Sequence, residues 1–223
     1  MMKRFALPVA AAALVFASTS LYAGTIFSEN FDELTPNLGV TSVGQFTAIN
    51  GTNVDIVSAA NGWASLVVAP ESGNVIDLGG SGGNPFGQLQ SGGISVTGGD
   101  TYTLSFDLVG SQRGVTTSTL ATLGTAGDLT SLYDTSFTLA SNGAAGTDGL
   151  VTFTLVAPTS ETVYLGFTDT SAPSTANIGS LLDNVSIASS APPIPEPSSL
   201  LMLGSGLVAM GSFARRKLAA RSL

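Results

Sequence analysis

The chain has no cysteine and no histidine, and charged residues make up only 10% of it. Six of its seven lysines and arginines fall in residues 1–4 or 215–223, so Arg113 is the only basic side chain in the long stretch between. These absences remove histidine-based triads, cysteine nucleophiles, Schiff-base lysines and zinc sites of the His/Cys type from residues 24–190. What remains for catalysis is a carboxylate pair of the kind that cleaves glycosidic bonds. Fourteen carboxylates lie in that stretch, so some pair is unavoidable and proximity alone signifies nothing. No enzymatic activity is expected. Aromatic residues are 7% of the chain, with one tryptophan, too few for an extended strip of stacking rings. The lack of disulfides is no obstacle, because a stretch of this length buries a substantial core without them. Its charge is 1 − 14 = −13, against −8 for the whole chain. Such a field repels phosphate backbones and excludes nucleic acid as a partner.

The two ends carry what the middle lacks. Lys3 and Arg4 precede an apolar run from Phe5 to Phe16, and Leu21-Tyr22-Ala23 ends on a small residue. That is the layout of a secretory signal peptide over residues 1–23. At the other end, Pro192-Pro193-Ile194-Pro195-Glu196-Pro197 must be extended, because proline fixes φ and has no N–H to give. Ser198–Ala214 then runs 17 residues without a charge, the short end of the roughly 17–25 that cross a bilayer as a helix. Arg215, Arg216, Lys217 and Arg221 follow, a stop-transfer cluster that keeps residues 215–223 cytoplasmic and leaves Pro195–Pro197 on the outer side.

In that order, the tripeptide, the short apolar helix and the basic tail resemble the PEP-CTERM sorting signal of exported proteins of Gram-negative bacteria. The resemblance implies that Pro195, Glu196 and Pro197 are the recognition element for an exosortase, a membrane-embedded enzyme similar to cysteine transpeptidases. It implies export across the inner membrane, transient anchoring through residues 198–214, then processing and delivery to the cell surface or extracellular matrix. A plain tail anchor with a Pro-rich linker is the alternative.

Between the signals the periodicity is that of strands. Tyr102–Leu108, Val151–Leu155 and Val163–Phe167 alternate apolar and polar residues, bounded by Gly, Asn, Asp and Pro. Shorter candidates are Thr25–Phe31, Ser65–Val68, Val75–Leu78, Gly93–Val96, Ser136–Leu139 and Asp183–Ala188. Gly79–Asn84 and Arg113–Thr119 are expected as loops. Many short strands in 24–190 predict one all-β domain, an antiparallel sandwich or jelly roll. The order of Val75–Gly80, Gly92–Val96, Tyr102–Leu108 and Asn177–Ile187 is similar to the galactose-binding-like jelly rolls and to some carbohydrate-binding modules.

That resemblance implies a structural calcium where the first and last strands meet, at Glu29, Asp32 and Asp183. Strand parity supports it: Glu29 shares a face with Phe27 and Phe31, and Asp183 with Val185 and Ile187. A core-facing carboxylate needs a partner, and a hard cation held by oxygens supplies one. The alternative is that these acids reach water at strand ends. For sugar contact the candidates are Trp63, after the Asn61-Gly62 turn, and Tyr164, directed outward between Val163 and Leu165; Tyr133 lies in a polar stretch. The alternative is ordinary rim and sheet surface. The expected function is a non-enzymatic cell-envelope or matrix protein. A surface module binding exopolysaccharide, calcium-dependent or not, is the second reading.

Overall fold

The unbroken alternation from Tyr102 to Leu108 forms most of a nine-residue strand whose even-numbered members are all buried. In the computed structural model, residues 24–59, 73–82, 84, 86–172, 177–190 and Ser205 are described. The signal peptide, Trp63, Ser65–Val68 and residues 191–223 apart from Ser205 lie outside them. Among the described residues no helix is long and apolar enough to cross a membrane.

The strands, in chain order, are β1 (Gly24–Glu29), β2 (Asn37–Val40), β3 (Ser42–Val43), β4 (Phe46–Ala48), β5 (Val54–Ser58), β6 (Asn74–Asp77) and β7 (Gln88–Ser91). After these come β8 (Ile94–Val96), β9 (Thr101–Val109), β10 (Thr117–Thr125), β11 (Asp128–Leu139), β12 (Leu150–Val156), β13 (Glu161–Asp169) and β14 (Leu181–Ser190). They make two 7-stranded sheets. The first runs β12-β9-β14-β6-β5-β2, with β1 also on β14; the second runs β11-β10-β13-β7-β4-β3, with β8 also on β13. Every pairing is antiparallel. The all-β sandwich expected from the sequence is therefore the fold.

Phenylalanine rings join the sheets. Phe167 on β13 meets Phe106 on β9 edge-on with centroids 5.0 Å apart, and Phe46 on β4 meets Phe27 on β1 at 5.5 Å. Edge-to-face pairs of this kind stabilise by about 0.5–1.5 kcal/mol beyond the area they bury.

Two local expectations need correction. Arg113–Thr119 is not wholly loop, because Thr117–Thr119 open β10. The inward positions there are Thr117, Thr119 and Ala121, so the apolar contrast that marks a strand is weak. Tyr133 is buried and packs on Phe153 with centroids 4.5 Å apart and the rings tilted by 45°, closing one side of the sandwich instead of facing solvent.

Candidate functional site: a polar face on the second sheet

The metal-ligand expectation fixes three carboxylates. Glu29 pairs with Val185, a core residue, so it does face the sandwich interior. Its carboxylate accepts the Phe31 N–H at 3.1 Å and the Gln45 N–H at 2.8 Å, pinning the turn between β3 and β4. Asp32 accepts the Asn74 N–H at 3.1 Å. Asp183 pairs with Asp107, which sits between core-facing Phe106 and Leu108 and so points to the opposite side of the sheet. The reason is a bulge: three steps from Asp183 to Ser186 oppose two on β9, and Asn184 takes a φ of 50°. The shared parity of Asp183 with Val185 and Ile187 is thus corrected, and Glu29 and Asp183 lie on different faces. Among the described residues no group of three or more carboxylates forms a cluster able to hold a metal.

The far side of the first sheet has its own small apolar cluster, Val57, Val75, Val109 and Leu181. Asp55 and Asp77 adjoin it at one corner, Asp107 and Asp183 at another, all buried. These acids serve as anchors for loops. Asp55 accepts the Gly39 N–H (2.6 Å), the Ser81 N–H (2.8 Å) and the Ser81 hydroxyl (2.6 Å). Asp77 accepts from the Gly79 and Gly179 N–H groups, both at 2.8 Å. Those two glycines touch backbone to backbone, and a Cβ on either would collide with the other's amide. Burial pushes the Asp77 carboxyl up to about 7, against the lowering effects of its two amide donors and Arg113. The Arg113 contact, at 3.9 Å with the guanidinium 38% exposed, is a weaker influence than burial.

Tyr164 is where parity put it, half-buried on the solvent side of β13. Gly124 is its cross-strand partner and Gly93 lies beside its hydroxyl, so the ring is bordered by residues with no side chain. Two positions on, register aligns Thr47, Gln90, Gly166, Thr122 and Asp134 in one row across β4, β7, β13, β10 and β11. With strands about 4.8 Å apart, that row runs on the order of 19 Å. All five lie on the outer face, because their chain neighbours Phe46, Leu89, Leu165, Ala121 and Tyr133 are core residues. Gly166 forms its floor: a Cβ there would sit 2.5 Å from Thr122 Oγ1. Beside it Gln88 takes a 2.7 Å hydrogen bond from the Asn50 amide.

The result is one aromatic ring over a glycine-floored row of amide, hydroxyl and carboxylate groups, with Asp134 its only charge. It has donors and acceptors for neutral polyols and neither a nucleophile nor an acid–base pair. Tyr164 was legible from parity. Gln90, Thr122 and Asp134 were not, since β7 and β10 carried no clear alternation and the row exists only through their registers.

The C-terminal segment has a match of its own: residues 193–217 fit the PEP-CTERM protein-sorting motif, which marks exported proteins for sorting to the cell envelope. No curated protein matches this sequence. Similar solved structures include an arabinose-bound α-L-arabinofuranosidase, MgGH51, at 16% identity over 78% of this chain and 27% of that one, with a TM-score of 0.49. The chain thus spans about a quarter of that enzyme. Others are the CBM22-1 xylan-binding domain of Paenibacillus barcinonensis Xyn10C (15% identity, 76% and 97% covered, TM-score 0.45) and the K1 cleaved adhesin domain of Lys-gingipain from Porphyromonas gingivalis W83 (15%, 74% and 98%, TM-score 0.43).

Proposed function

We propose, from the PEP-CTERM sorting motif at residues 193–217, that this chain is a non-enzymatic protein of the cell envelope, processed by an exosortase, whose sandwich binds neutral polysaccharide at the surface. The observation that carries the binding half is the outer row of the second sheet. Tyr164 offers a ring face for a pyranose, and Gln90 and Asp134, with Thr122 largely buried between them, offer the sparse polar groups that fix a sugar's orientation. A wet, shallow face suits a polymer that slides across it, since water-bridged contacts to sugar hydroxyls cost little. The strongly negative charge of residues 24–190 selects for neutral chains over acidic ones.

The test is affinity electrophoresis of the protein through gels containing exopolysaccharide from the producing cells. Retardation by neutral polymer, lost about tenfold in Tyr164→Ala and weakened in Gln90→Ala, is expected. Unretarded native protein would remove the binding half and leave a sorted matrix protein with no sugar ligand.

A further inference from the structure

The edges of the two sheets are not treated alike. At the free edge of the second sheet, β11 presents the exposed carboxylates Asp128 and Asp134. At one edge of the first sheet, β2 is short, contains Gly39 at a φ of 64°, and slips register between Asn37 and Val40. Charges, irregularity and brevity are how proteins keep edges from pairing with other chains. The opposite edge, β12, has none of these.

β12 reads Leu150-Val151-Thr152-Phe153-Thr154-Leu155-Val156, with no charge, proline or glycine. Leu150 is 46% exposed, Phe153 36% and Val156 59%, three of the five large apolar side chains exposed among the described residues. Its inner side pairs with β9. The bonds Leu108 N–H to Gly149 O and Ala157 N–H to Asp100 O set the alternation of that ladder. Odd-numbered residues of β12 therefore bond toward β9, and even-numbered ones turn their N–H and C=O outward. Leu150 spends its own pair on Thr147, which leaves Thr152, Thr154 and Val156 as outward donors and acceptors.

The sequence of this edge is close to a palindrome about Phe153. An antiparallel match to a second copy, centred there, sets Thr152 against Thr154, Val151 against Leu155 and Leu150 against Val156. The outward backbone groups select the same register: Thr152 and Thr154 meet as hydrogen-bonded pairs, and Phe153 meets its mate as the close, non-bonded pair. Asp148, the carboxylate nearest the strand, falls opposite Pro158, so it meets no like charge and the ladder stops there. We propose that β12 is a homodimerisation edge, pairing antiparallel with β12 of a second copy about a two-fold axis at Phe153. Such an interface is isologous: each copy consumes the other's edge, and growth ends at two.

The absence of native cysteine makes the test direct. The full chain carrying Phe153→Cys is expected to form a disulfide-linked dimer under mild oxidation, since a non-bonded cross-strand pair has Cα atoms about 4.5 Å apart, within disulfide reach. Adding Thr154→Lys should lower that yield at least about tenfold, and Thr138→Cys on β11 should remain monomeric. In parallel, the unsubstituted full chain in detergent should sediment as a dimer and the Thr154→Lys chain as a monomer. The sedimentation arm decides alone if Phe153→Cys fails to accumulate. A monomeric native chain, a dimer indifferent to Thr154→Lys, or a ladder of higher oligomers would each overturn the proposal.

Discussion

Asp55 and Asp77 face each other across β5 and β6, two buried carboxylates in direct register, with Arg113 the only ion-pair partner found for either among the described residues. Burial is the main reason the Asp77 carboxyl is pushed up to about 7, and the charge of Asp55 adds only a minor upward push.

The pH dependence of stability follows. An acid whose folded pKa exceeds its unfolded one binds more protons when folded, so stability rises as pH falls from about 7 toward 3.8 and is flat above about 7. A shift of about three units corresponds to at most on the order of 4 kcal/mol. Burial moves Asp169 in the same direction, and its Oδ2 has no hydrogen-bond partner. Denaturant melts at pH 8 and pH 5 should show the protein more stable at pH 5. Asp77→Asn, which keeps the acceptor for Gly79 and Gly179, should raise stability at pH 8 and flatten the profile. An unchanged slope in that variant would place the titration elsewhere.

Phe167 touches both Phe46 and Phe106 and has no exposed surface. Phe167→Ala should cost about 3–5 kcal/mol, read as a fall in urea midpoint with an unchanged m-value. Phe153→Ala at the rim should cost less, since that ring is already partly solvated.

Glu29, Asp32 and Asp183 are each held by backbone amides, and the bulge at Asn184 separates Asp183 from Glu29. Melting temperatures in chelator and in about 1 mM calcium, where extracellular sites fill, should agree within about 2 °C. A rise well beyond that would support a shared cation site.

For the C-terminal signal, intact mass of the protein from its host should end near Pro195–Pro197, and Glu196→Ala should retain the residues through Leu223. A native mass that includes Leu223 would reduce the segment to a plain anchor.

The three most regular strands, β9, β12 and β13, were legible because each sets apolar residues against threonines and other polar ones in strict alternation. β5 was not: all five residues of Val54–Ser58 are buried, so one face cannot be told from the other by polarity. β10 hid because its core positions include threonine and alanine. Glu29, one of the acids read as a ligand, instead accepts the N–H two residues on. Asp77-Leu-Gly79, Asp128-Leu-Thr130 and Asp169-Thr-Ser171 share a pattern in which a carboxylate accepts the N–H two residues on. That spacing of Asp and a turn residue was visible and marks a backbone anchor more than a ligand. The bulge at Asn184 had no comparable mark, so parity carried across it gave Asp183 the wrong face.

The position of β14 fixes the order in which the molecule can be completed. Within the first sheet it separates β9 and β12 on one flank from β1, β5 and β6 on the other. It is also the last strand of the domain to be made. Until residues 181–190 arrive, β9 with β12 and β5 with β6 can pair only as separate pieces, and that sheet cannot be completed. Completion of that sheet is deferred to the end of synthesis, as dependence on non-local pairing already favours. A chain threaded through a membrane pore from its amino end would therefore close its first sheet only once its last strand had crossed.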